Sequence, residues 1–372
     1  MAAEKGHVEV VRELLAVPGI DVNLATKDGG TALTLAMEEG NTDVVVLLLA
    51  VSGIDVNKAS CIGRTALMTA GNKKIEEVVE PLLAVPGINL NATDDDGVTA
   101  VMLFAHNGCT EAVSLLLAAP GIDLSKADKD GYTAVMTAAR HGRTEVASLL
   151  LAAPGIEVNK EDSEGKTAVI WAASNGHTEI VSAFLAVPGI DTNKADDKGK
   201  TAVMRAAENG HTEVVRALLA APGIEVNKAD NEGKTAVMWA AYQGFSGNTE
   251  VVDLFLAAPG IDVNKADNEG KTAIMEAAGS GHTEVVRALL AAPGIDVNKA
   301  DNNGWTAVMH AAYRGCTEAV SLLLAAPGID LNKRATDCDY KGNYKGNTAL
   351  GVAITEGRAE VEGLLRAAGA EF

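Results

Sequence analysis

Apolar residues recur along the chain in two short clusters per unit, each bounded by polar turn formers. In the stretch Thr201 to Lys234, Thr201 is followed by AVMRAA, a run of good helix formers. The Thr201 hydroxyl is expected to cap this helix, and Gly210, after Glu208 and Asn209, to end it. A second helix is predicted with Thr212 as its N-cap and Glu213 in the first turn, where the helix dipole favours an anion. VVRALLAA gives that helix an apolar face at helical spacing, and Pro222 and Gly223 stop it. IEVNKADNEGK then reads as an extended finger with Asp230-Asn231-Glu232-Gly233 at its tip, because it is too rich in turn formers for a third helix.

The unit repeats. A GxTA-type step places threonines at 31, 65, 99, 133, 167, 201, 235, 272, 306 and 348, spaced by 34 residues six times and then by 37, 34 and 42. A fixed period of this length means stacked supersecondary units, none of which can bury its apolar face alone. The two longer spacings are insertions, Phe245-Ser246-Gly247 and a stretch within Arg334 to Gly346, that keep the register on either side, as outward-growing loops do.

The module pattern DxxGKTAVMxAAxxGHTEVVRALLAAPGIDVN resembles the ankyrin repeat over essentially the whole chain. The resemblance implies an all-α ankyrin-repeat solenoid of stacked helix-turn-helix modules with projecting finger loops, and recognition on the concave face formed by fingers and first helices. Residues 1–372 are expected to form a single elongated solenoid. Its parts are a partial N-terminal module (1–30), nine modules (31–347, with insertions near 245–247 and 335–346) and a C-terminal capping module (348–372). Two departures stand out: TAVM, TALM or TAIM replaces the usual TPLH, so Met or Leu packing must substitute for a histidine, and PGI lengthens the segment before DVN by one residue. A weak joint is expected at 71–85, where Gly71-Asn72-Lys73-Lys74 lacks the usual glycine stop and Pro81 sits inside the second helix at a cost of about 3 kcal/mol.

Composition narrows the partner. Of the 372 residues 47% are hydrophobic, yet there are only five Phe, five Tyr and three Trp, so the core is built from small side chains in a thin layer. A net charge of −19 argues against a phosphate-tracking nucleic-acid binder, which needs clustered Lys and Arg, and favours a protein partner that is basic or apolar at the contact. No apolar run approaches the roughly 20 residues that span a bilayer, and the N-terminal stretch is charged where a signal peptide is apolar. The expectation is an intracellular, cytoplasmic monomer without membrane or nucleic-acid contacts. Cys61, Cys109, Cys316 and Cys338 form no CxxC pair, so reduced thiols and no metal or cofactor are expected.

Variation between modules locates a candidate surface. Counted from each Thr, positions +2, +3, +5 and +6 stay small or apolar, whereas +4, +7 and +8 vary and form one stripe. The +4 series is Leu35, Thr69, Leu103, Thr137, Trp171, Arg205, Trp239, Glu276, His310 and Val352; Tyr242 and Tyr313 occur at +7, and Trp305 just before a Thr. Trp, Tyr and Arg dominate many binding energies, so Trp171, Arg205, Trp239, Tyr242, Trp305, His310 and Tyr313 are the candidate partner-binding residues. Arg205, one module from Trp171 and from Trp239, is placed for a cation–π contact. The alternative is that the tryptophans fill grooves between neighbouring helices.

Other features read as structural. His177, His211 and His282 in the GHTE step order the loop before the second helix, Cys109 and Cys316 share that slot, Asp94 to Asp96 form a solvated finger tip, and the DVN asparagines stabilise fingers. No nucleophile, base and orienting acid recur together, so the leading function is a non-catalytic protein–protein interaction scaffold. A structural spacer or spring segment of a larger protein, or a consensus-like engineered array, remains the alternative.

Overall fold

The computed structural model describes residues 1–243, 248–336 and 344–372. The first insertion and most of the second lie outside the described residues, as do Cys338 and Tyr340. The chain divides into two compact units, Met1–Ala172 with Ser182–Ile190, and Ala173–Val181 with Asp191–Phe372. In the first, helix Val8–Leu15 is followed by the pairs Ala32–Glu38 and Thr42–Leu49, Ala66–Lys73 and Val79–Leu83, Ala100–Asn107 and Thr110–Ala118, and Ala134–Arg140 and Thr144–Ala152. The second contains Ala202–Glu208 and Thr212–Leu219, Ala236–Gln243 and Asn248–Leu256, Ala273–Ser280 and Thr283–Leu290, Ala307–Arg314 and Thr317–Leu324, and Ala349–Thr355 and Ala359–Ala367. Among the described residues there is no sheet, only isolated bridges at finger bases such as Ala229 with Thr235.

The packing follows the sequence pattern. Val203, Met204, Ala206 and Ala207 of the first helix and Val214, Val215 and Leu218 of the second are buried. Two of the expected caps differ. Thr201 holds the extended N-cap backbone (φ −83°, ψ 171°), which suits a β-branched residue, but its buried hydroxyl makes no hydrogen bond. Thr167, Thr235, Thr272 and Thr306 repeat this, whereas Thr31, Thr65, Thr99, Thr133 and Thr348 do accept the N3 amide. The methionine at +3 adds the reciprocal contact, whether or not the hydroxyl caps: the amides of Thr99, Thr133 and Thr235 point at the sulfurs of Met102, Met136 and Met238 at 3.4–3.5 Å. In the second helix the N-cap is His211, and Thr212 is already helical, its amide turned back to the Gly210 carbonyl at 3.1 Å.

The joint at 71–85 is irregular in a way that relieves its proline. The first helix ends on Lys74 at φ 61°, the sole non-glycine residue with positive φ among the described residues. A 3-10 turn, Glu76–Val78, precedes Val79–Leu83, so the α-helix starts late and Pro81 falls in its first turn, where no intrahelical amide bond is lost. The expected interior-proline penalty is therefore avoided at the expense of a shorter helix.

Fingers are locked twice. Asp230 Oδ1 accepts the amides of Glu232 and Lys234 at 3.0 and 2.9 Å, closing the tip. Gly233 has φ +82°, and a Cβ on it would lie 2.6 Å from the backbone nitrogen of Asn268 in the next finger, so this glycine permits both the turn and the approach. The PGI segment has a defined role. Asn264 Nδ2 donates to the Gly294 carbonyl of the next module at 2.7 Å, and Asn264 Oδ1 accepts the Asp296 amide at 2.8 Å. Lys299 reaches back to the Asn264 carbonyl at 2.5 Å. The asparagine bonds recur at Asn23, Asn57, Asn193, Asn227 and Asn298, with the lysine at all of these but Asn57, so the asparagines join neighbouring modules.

Candidate functional site

The stripe at +4 turns out to be tied to the fingers. Trp171 Nε1 donates to Asp162 Oδ2 at 2.7 Å, Arg205 Nε to Asp196 Oδ2 at 3.0 Å, Trp239 Nε1 to Asp230 Oδ2 at 2.8 Å, and His310 Nε2 lies 3.0 Å from Asp301 Oδ2. Each aspartate spends Oδ1 on its own tip and Oδ2 on the first helix. A position can therefore take Trp, Arg or His in turn and still be largely enclosed, because each of the three carries a donor that satisfies the same acceptor. Asp94 is buried too, but its partner is the Arg64 Nε of the preceding finger, at 3.3 Å, while Asp95 and Asp96 are exposed, which corrects the reading of all three as solvated.

Cation–π contacts involve other residues than expected. Arg205 is engaged with Asp196 and with Glu208, whose second oxygen takes Lys200 at 2.9 Å. The cations over Trp239 are Lys200 and Lys234, at 3.3 and 4.9 Å from the ring centroid, and over Trp171 they are Arg140 and Lys166 at 4.7 and 4.1 Å. Trp239 and Trp305 are 8% and 5% exposed, whereas Tyr242 is 45% exposed. Trp305 packs against His310, Tyr313 and Tyr344 with centroids 5.3, 5.7 and 5.3 Å away.

The structure brings four of the seven stripe residues together. Tyr242, Trp305, His310 and Tyr313 line a pocket of about 690 Å³ between fingers and first helices of the second unit. Lys234, Lys271, Glu269 and Glu276 add charge to its wall, and Arg314 stands at its side. Trp171, Arg205 and Trp239 are outside it. Sequence comparison of modules missed Lys271, Glu269 and Glu276 as site residues, although the charge reversal at +4 from Arg205 to Glu276 was a visible signal.

Electrostatics within the pocket are uneven. Lys271 lies 2.8 Å from Glu269, a bond that holds the Glu269 carboxyl below its ordinary value and, against burial, raises the lysine. Burial pushes the Asp267 carboxyl up, and the neighbouring Glu276 adds to the shift. The second-helix slot is purely connective: His211 and His282 sit against the carbonyls of Ser174 and Tyr242 at 3.1 and 3.0 Å, and Arg143 and Arg358 make the same bridge. Burial raises the Cys109 thiol to about 11 and also raises Cys316, which leaves both in the unreactive form. Among the described residues no three His, Cys, Asp or Glu side chains converge as metal ligands, and no helix is long and apolar enough to cross a membrane.

This architecture has a family. A model of ankyrin repeats in three copies matches residues 1–94, 71–162, 154–230, 237–335 and 300–372, and the chain belongs to the ankyrin-repeat family. Ankyrin repeats are in general protein–protein interaction modules. A search of curated proteins finds no match.

Proposed function

We propose that the protein is a non-catalytic intracellular scaffold that binds a protein partner on the concave face formed by fingers and first helices. The observation that carries this reading is the pocket, where Tyr242 of the Thr235 module and Trp305, His310 and Tyr313 of the Thr306 module converge with charged neighbours. An exposed tyrosine beside enclosed aromatic rings is the arrangement found at the anchor points of interfaces, where desolvation supplies the energy and a polar rim excludes water. Trp171, Arg205 and Trp239 are proposed as further partner contacts outside the pocket, with their polar atoms already partnered in the frame.

The spacer reading rests on a different observation, the Asn–Lys ladder that ties neighbouring modules on the exposed edge at Asn193, Asn227, Asn264 and Asn298. The two readings separate when a partner captured from cells is titrated against Tyr242→Ala and Tyr313→Ala. A scaffold loses affinity through both substitutions; a spacer has no partner whose affinity depends on them.

A further inference from the structure

A basic cluster stands on the first unit of a chain that carries 50 acidic residues against 31 basic ones. Its members come from three successive modules, at and just beyond the +7 and +8 positions of the variable stripe: Lys73 and Lys74, then His106, then Arg140, His141 and Arg143. The His106 and His141 rings meet with centroids 4.2 Å apart. Arg143 Nε donates to the His106 carbonyl at 2.9 Å. The Gly71 carbonyl accepts both the Lys74 amide at 3.4 Å and Asn107 Nδ2 at 2.9 Å, so the three helix ends are joined.

Little of this charge is spent. Elsewhere cations are paired, Arg64 with Asp94, Arg205 with Asp196, Lys234 with Glu276 and Lys271 with Glu269. Among the described residues Lys73, Lys74, His106, His141 and Arg143 form no ion pair with any carboxylate. Arg140 lies over the Tyr132 and Trp171 rings. Glu76, which acts on Cys109 beside the cluster, spends Oε2 on the Ala112 amide at 3.0 Å. Glu77, Glu111 and Glu145, in the turns that open the second helices, pair with none of these cations.

Lys74 supplies a second observation. It holds φ 61° where the modules on both sides have a glycine with positive φ, Gly40 and Gly108. A strained backbone kept at a position that glycine fills elsewhere points to a use for the side chain. Burial, then the charges of His141, Arg143, Lys74 and Arg140, hold the His106 ring below its ordinary value. The donors comprise a guanidinium fork, two ammonium groups and two imidazoles, spread over three modules. Such a spread matches several carboxylates along one extended chain better than a single compact ion.

We propose that this cluster docks an acidic segment of a protein partner, with one carboxylate on Arg143 and His106 and another on Lys74. It is a second contact surface, independent of the pocket around Tyr242 and Tyr313. The net charge of −19 suggests a basic partner; this patch is where an acidic one finds attraction. A bound carboxylate lets His106 hold its proton more tightly, so the contact strengthens as pH falls through the range in which the ring titrates.

Ring-proton NMR of the full chain reads all seven histidines at once, with His211 and His282, already bonded to carbonyls, as internal controls. Acetylated oligoglutamate, oligoglutamine and inorganic phosphate are titrated in turn at physiological salt. Oligoglutamate is expected to shift the His106 and His141 signals saturably, leave the controls in place, and bind about fivefold tighter at about pH 5.5 than at about pH 7.5. Lys73→Gln combined with Lys74→Gln, both exposed, is expected to weaken it about threefold or more, and His106→Gln to remove the pH dependence. Oligoglutamine matching oligoglutamate, a tighter response to phosphate, equal movement of all the histidines, affinity that ignores pH, or an unchanged titration in the lysine double variant would each overturn the proposal. If the cluster fails while a captured partner still depends on Tyr242 and Tyr313, the scaffold stands without this contact.

Discussion

Trp239 donates its indole N–H to the carboxylate of Asp230, nine residues upstream, at 2.8 Å. The ring is only 8% exposed, so the bond joins a buried donor to a buried acceptor and fastens the finger to the first helix of its own module. Replacing Trp239 by Phe keeps most of the bulk and strands Asp230 Oδ2, with an expected loss of roughly 1.5–3 kcal/mol. Trp239→Ala adds a cavity and is expected to cost about 3–5 kcal/mol. Urea unfolding followed by far-UV circular dichroism reads both; a Phe variant as stable as the parent would show that the bond is idle.

Asp267→Asn should act in the opposite direction. The asparagine carbonyl retains the amides of Glu269 and Lys271, and its Nδ2 can donate to Glu276, which replaces repulsion by a bond. Because the folded state raises the Asp267 pKa, it holds that proton more tightly than the unfolded chain, so the aspartate's stabilising contribution is full at low pH and is lost as pH rises through the folded value. The variant is therefore expected to be more stable than the parent by a few tenths to about 1 kcal/mol at pH 7, with the advantage gone below about pH 4. Unfolding midpoints measured across that range check the sign.

Two glycines with similar backbones should respond differently. Gly223 has φ +78° and open space where a Cβ would sit, so Gly223→Ala is expected to cost about 1 kcal/mol from the left-handed backbone alone. Gly233, at φ +82°, faces the Asn268 backbone, so Gly233→Ala is expected to add a clash of about 2 kcal/mol. Equal losses would mean that fingers do not nest as closely as described.

The joint around Lys74 offers a stabilising substitution. Lys74→Gly relieves a left-handed non-glycine residue and is expected to gain about 1 kcal/mol. With its second helix cut to Val79–Leu83, this module should also exchange its amides at 75–85 faster than those at 213–220 in helix Thr212–Leu219. Equal protection would contradict the weak joint.

The repeat, the helix pairs and the fingers were legible because each depends on local chemistry repeated at a fixed spacing: AVMRAA and VVRALLAA bury one face each, and Gly210 and Gly223 break the chain where positive φ is needed. Links between modules were not. Nothing in PGIDVN alone says that Asn264 must find the carbonyl of Gly294 thirty residues on, so the acceptor role of the PGI segment was hidden. The enclosure of the tryptophans was hidden for a similar reason. Arg205 and His310 at one position suggested solvent, and the buried Asp196 and Asp301 that satisfy them lie on a finger that the sequence presents only as turn formers. Pro81 reads as interior to the second helix when the other modules set its start, whereas here the α-helix begins at Val79, which puts the ring in its first turn.

The scaffold account is tested most directly by hydrogen exchange on the full chain with and without a captured partner. The account predicts new protection at 234–243, 268–280 and 305–314, the fingers and first helices around Tyr242, Glu276 and Tyr313, with the outer helix Thr283–Leu290 unchanged. Protection confined to the outer helices, with the pocket segments exchanging as in the free chain, would contradict it.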